Sequence, residues 1–96
     1  MEQIKQTLEN TLSTIEDTGI LNDDNLDLLA SAAKNYEVVV IELKKTDGSK
    51  FGQLPDQING FQENNNEART NIVNVDLYHT YRTDVVRKIE NVINIL

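Results

Sequence analysis

The sequence predicts an all-α chain, and three observations carry that prediction. Apolar residues recur every three to four positions along its longest segments, helix-capping residues punctuate those segments, and Gly and Pro collect between them. The expected architecture is a long antiparallel helical hairpin with an N-terminal helix packed on it, associating with further copies in an oligomer. The competing reading is α+β, with Glu37–Phe51 as a β-hairpin and Ile72–Arg82 as a third strand. The 96 residues, 1–96, read as one helical domain with a long loop at about 47–66.

The first helix is expected over Glu2–Asp17. Ile4, Leu8, Leu12 and Ile15 form one narrow apolar stripe there, and Thr18-Gly19 supplies a C-terminal stop. The cluster Asn22-Asp23-Asp24-Asn25 then caps a second helix, because short polar side chains accept from free backbone N–H groups at a helix start. That helix is expected over Asp24–Thr46, with Leu29, Ala32, Ala33, Tyr36, Val39, Val40 and Leu43 in phase. Lys44 and Lys45 fall in its last turn and Gly48 follows. The β-branched run Val38–Ile41 with Asp47-Gly48 behind it is what supports the strand alternative.

Residues 47–66 gather the remaining turn signals, from Asp47-Gly48-Ser49 through Leu54-Pro55-Asp56 to the Asn64–Asn66 triplet. Leu54, Ile58 and Phe61 are expected to tack this connection to the core, with a short helix after Pro55. In the final segment, Glu67–Leu96, Ile72, Val75, Tyr78, Val85, Ile89, Val92 and Leu96 fit one helical stripe that only Arg82 interrupts.

An antiparallel pairing of the two long helices sets Val38, Val39, Val40 and Ile41 beside Ile72 and Val75. It leaves Val92, Ile93, Ile95 and Leu96 beyond the end of the partner helix. These ten residues are the expected interface, since uncovered apolar patches mark contact surfaces. A lean core points the same way. Only 39% of the chain is hydrophobic, Phe51, Phe61, Tyr36, Tyr78 and Tyr81 are its aromatics, and the absence of Cys removes disulfides and thiolate metal sites.

The net charge is −7, and its excess lies at the front. Residues 1–33 hold Glu2, Glu9, Glu16, Asp17, Asp23, Asp24 and Asp27 against Lys5 alone. Such a surface repels phosphate backbones and anionic membranes, so neither direct nucleic-acid binding nor membrane-surface binding is expected. Glu16, Asp17, Asp23, Asp24 and Asp27 form an acidic face that suits a basic partner, such as a host protein that holds nucleic acid.

Catalytic chemistry finds few carriers. Asp23-x-Asn25-x-Asp27 copies the start of a calcium loop, but Leu28 and Lys34 stand where its Gly and bidentate Glu belong, which leaves a helix cap. His79 is the sole histidine, with Asp76 one turn before it and no nucleophile beside it. Asp47-Gly48-Ser49-Lys50 lacks the phosphate-loop pattern. No cofactor or metal is expected. Tyr78, Tyr81, Arg82, Arg87 and Lys88 are candidate ligand or partner contacts, because Tyr and Arg dominate binding hot spots and stack on bases.

The expected function is therefore that of a non-enzymatic helical interaction or assembly protein, cytoplasmic, acting through oligomerisation or a partner helix. Two alternatives stand beside it. One is an acidic inhibitor whose N-terminal third blocks a basic site on a host protein; the other is a nucleotide-binding oligomer. The Asn- and Ile-rich, Pro-poor composition suggests an AT-rich coding genome, such as that of a low-GC bacterium or one of its phages.

Overall fold

The computed structural model describes residues 2–56, 65–66 and 75–96. Every element among them is helical: α1 (Glu2–Thr14), α2 (Asp23–Thr46), the single turn α3 (Gly48–Phe51) and α4 (Val75–Ile95). The all-α class holds. Glu37–Thr46 lies within α2, and Val75–Arg82 lies within α4, so the strand reading of both stretches is set aside.

α2 forms for the reasons its sequence advertises. Asn22, in extended conformation, accepts from the backbone N–H of Asn25 at 2.8 Å. Asp23 and Asp24 meet the positive end of the helix, and Lys44 and Lys45 meet the negative end. The stop differs from expectation. Asp47 ends α2 and at the same time caps α3, its carboxylate accepting from Lys50 N–H and the Ser49 hydroxyl, so Gly48 opens a new turn. Gly52 closes that turn, where a Cβ would run into the carbonyl of Gly48.

α1 also ends differently. Its regular part stops at Thr14, and the chain runs on to Thr18 in tighter turns, with Ile15, Glu16 and Thr18 N–H groups each reaching back three residues. Gly19 does not take the left-handed conformation of a glycine stop. The carbonyls at this end also find side-chain partners. The Thr18 hydroxyl donates to the Ile15 carbonyl at 2.6 Å, and the Arg82 guanidinium donates to the carbonyls of Ile15 (3.2 Å) and Glu16 (3.0 Å).

Hydrogen bonds between elements set the helix directions. The Asn35 amide reaches the Thr11 hydroxyl (3.4 Å), while Thr18 and Ile20 lie at the corner from which α2 departs; α1 and α2 are antiparallel. Tyr78 donates to the Thr18 carbonyl, Arg82 reaches back to Ile15, and Leu12 shares a groove with Val86 and Glu90 farther along; α1 and α4 are antiparallel too. α2 and α4 therefore run in the same direction. The antiparallel hairpin expected from the sequence is corrected.

The physical reason lies in the 47–66 connection, which is more than a loop between neighbouring helix ends. After α3 the chain has turned back. The Tyr36 hydroxyl donates to the Pro55 carbonyl at 2.8 Å, and Lys44 pairs with Asp56. At Asn65 the chain is level with the first turn of α2, the Asn65 amide donating to the Leu26 carbonyl at 2.8 Å. α2 is about 36 Å long at 1.5 Å per residue. Ile58 and Phe61, and a helix following Pro55, fall outside the described residues.

The core takes one stripe from each long helix. α2 buries Leu26, Leu29, Ala32, Ala33, Tyr36, Val40 and Leu43; α4 buries Tyr78, Tyr81, Val85, Ile89 and Val92. α1 and its tail add Leu8 and Ile15, and Phe51 is the anchor of the connection, with Leu54 half-buried beside it. Among the described residues no buried side-chain nitrogen or oxygen lacks a hydrogen-bond partner. No helix among them is long and apolar enough to cross a membrane.

Candidate protein-interaction site

The expected apolar interface divides. Val40 and Val92 are core residues, and Val39, Ile93 and Leu96 pack half-buried against the core. Val38, Ile41, Val75 and Ile95 are exposed, and Ile72 lies outside the described residues. The end of α4 is not the bare patch that its composition implied. α1 is antiparallel to α4, so its first turns, with Ile4 and Leu8, lie toward that end. Nor does Val75 stand beside Val38–Ile41. It sits one turn before Tyr78, at the α1–α2 corner, whereas Val38–Ile41 occupies the far half of α2.

The aromatic and cationic candidates are largely committed within the fold. The rings of Tyr78 and Tyr81 are buried. The Tyr78 hydroxyl donates to the Thr18 carbonyl, and burial raises its pKa even though the Thr18 side-chain hydroxyl and the Arg82 charge pull the other way. Tyr81 receives a hydrogen bond from the Asn65 amide at 3.4 Å. Arg82 spends its guanidinium on the end of α1. Base stacking on either tyrosine would require opening the core. Arg87 remains exposed and Lys88 half-exposed. His79 faces an open hollow of about 450 Å³ shared with Thr80, Thr83, Asp84 and Arg87, so Asp84 borders the same hollow as the imidazole.

The acidic face is where sequence and geometry converge. Glu16, Asp17, Asp23, Asp24 and Asp27 are all exposed, and all belong to the corner between α1 and α2. The corner is pinned from several sides. Asn22 caps α2, the Asn25 amide donates to the Ile20 carbonyl at 2.6 Å, and Thr18 is gripped by Tyr78 and Arg82. Leu21 tucks half-buried against the core. Between the acids stands Ile20, 72% exposed, the barest large hydrophobic residue among those described. Sequence reasoning found the acids and missed Ile20, because the pair Ile20-Leu21 ahead of the Asn22 cap does not tell which of the two is buried.

The Asp23-x-Asn25-x-Asp27 cluster serves as cap and corner. Among the described residues no group of three or more His, Asp or Glu side chains is placed to hold a metal ion. Comparison with protein-family models, curated proteins and solved structures finds no match for this chain.

Proposed function

We propose that the chain is a non-enzymatic binding module whose acidic corner docks on a basic surface of another protein. The observation that carries this reading is Ile20, held out in solvent on a hydrogen-bonded corner whose chain also carries the exposed Glu16, Asp17, Asp23, Asp24 and Asp27. An exposed aliphatic side chain gives a contact its anchor. A concentration of like charges raises the rate at which a cationic partner arrives and excludes anionic ones. A protein surface that normally holds nucleic acid has the required positive charge, and occupying it would inhibit that protein.

The test is affinity capture of basic proteins by the wild-type chain, compared with a variant carrying Asp17→Lys, Asp23→Lys and Asp24→Lys, and with Ile20→Ser. Partners specific to the corner are released by heparin, lost by the charge-reversed chain and weakened by Ile20→Ser. Capture that survives charge reversal rules the reading out.

A second reading, self-assembly, has its support on α2. Val38 and Ile41 are 59% and 41% exposed, three residues apart and hence on one face of the helix. Light scattering coupled to size exclusion, at two concentrations and two salt strengths, decides it. A salt-resistant oligomer dispersed by Val38→Asp supports assembly, and a monomer at high micromolar concentration removes it.

A further inference from the structure

The acidic corner continues into a groove. From Glu16 an open cleft of about 330 Å³ runs between α1 and α4, lined by Leu12, Ile15 and Val86, with Glu90 farther along α4. Its volume is at the lower end of the range for binding clefts, about 300–1,000 Å³. Arg82 borders it, but its guanidinium is turned onto the Ile15 and Glu16 carbonyls and the Thr18 hydroxyl. Arg87 lines neighbouring hollows on the flank of α4, one of which adjoins this cleft at Arg82, Val86 and Glu90.

We propose that this groove seats an amphipathic, basic helical segment of the partner protein, which lies between α1 and α4 as an added helix. The proposal rests on the reading that the corner binds a basic protein, and it names the form that the contact takes. Three features of the groove select that occupant. The apolar lining is aliphatic and lies between two antiparallel helices, which is the geometry of helix-in-groove recognition. From Arg82 to Glu90 the cleft follows α4 for about 12 Å at 1.5 Å per residue, the length of two helical turns. Two carboxylates line it, so a segment with aliphatic residues toward the apolar lining and Lys or Arg two turns apart meets Glu16 and Glu90. The groove is also continuous with the corner through Glu16, so one partner can cover both.

The experiment follows backbone amide resonances of the ¹⁵N-labelled full chain during titration with three synthetic helical peptides. The first carries Leu at helical spacing with Lys on the other face, the second replaces each Leu by Ser, and the third replaces each Lys by Glu. The expected result is saturable shifts at Ser13, Glu16, Val86 and Glu90 with the Leu/Lys peptide alone. Ser13→Trp, at an exposed position on the groove wall, should weaken that peptide at least tenfold, and Glu90→Lys should weaken it severalfold. Unchanged amide spectra outside the groove would show that both variants fold. Equal binding of the Ser/Lys peptide at Asp17, Asp23 and Asp24 would overturn the groove and leave the acidic corner standing. Full affinity in Ser13→Trp would overturn the groove as well. Absence of shifts with every peptide would overturn the groove and the corner together.

Discussion

Arg82 and Thr18 stand 64 residues apart in the sequence and are joined by a 2.9 Å hydrogen bond from the guanidinium Nε–H to the threonine hydroxyl. That hydroxyl donates its own hydrogen bond to the Ile15 carbonyl, and a second guanidinium nitrogen donates to the Ile15 and Glu16 carbonyls. One side chain of α4 thus replaces the glycine stop that α1 lacks, with a positive charge where the helix dipole is negative. Hydrogen bonds to a charged group contribute about 1.5–3 kcal/mol each, less where solvent reaches them. Arg82→Ala should therefore cost about 2–3 kcal/mol, seen as a lower urea midpoint at unchanged slope. Arg82→Lys should recover less than half of the loss, because one ammonium cannot span three acceptors.

The same residue shows how the sequence could be read further. Arg82 was the one break in the apolar stripe of α4, and a cation inside such a stripe is a sign of carbonyls waiting opposite. The stripes of α2 and α4, the cap at Asn22 and the basic last turn of α2 were legible because each is local. Helix direction was not legible. Hydrophobic periodicity says which face is buried but nothing about which way a neighbour runs, and a connection dense in Gly, Pro and Asn conceals a return path as readily as a plain loop. The corner was half legible: its charge is a matter of composition, while the exposure of Ile20 depends on the Asn25–Ile20 bond and on where α4 packs.

Asn65 tests the return path directly. Its buried amide ties the chain to the Leu26 carbonyl and to the Tyr81 hydroxyl. Asn65→Leu keeps the branched shape and removes the donor to both groups, at a cost of about 1–3 kcal/mol. Hydrogen exchange at the start of α2 and around Tyr81 should quicken together in this variant. Acceleration confined to one of the two sites would mean that Asn65 does not couple them.

The end of α4 separates packing from assembly. Val92 is fully buried, and Val92→Ala removes two methyl groups from a packed site, which should cost about 2 kcal/mol at every protein concentration. Ile95 is 39% exposed, and Ile95→Ser should change stability by no more than about 0.5 kcal/mol. A concentration-dependent melting temperature that Ile95→Ser abolishes would instead return this end of the helix to the role of an interface.

Tyr36 gives the fold an alkaline limit. Its pKa is pushed up to about 12, first by burial of the ring and then by the carboxylates of Asp56 and Asp84. The unfolded chain loses this proton near pH 10, whereas the folded chain keeps it. The contribution is fully present below pH 10 and is lost as pH rises from 10 to about 12. Two units correspond to roughly 2–3 kcal/mol. Spectrophotometric titration at the phenolate band should show a late step near pH 12 that Tyr36→Phe removes. Tyr36→Phe also leaves the Pro55 carbonyl without its donor, so it should be weaker than wild type by about 1 kcal/mol at pH 8. By pH 11 the gap between the two should close or reverse, since only the wild type then gives up the tyrosine's share. A gap that stays constant from pH 8 to pH 11 would mean that Tyr36 ionises as readily in the folded chain as in the unfolded one.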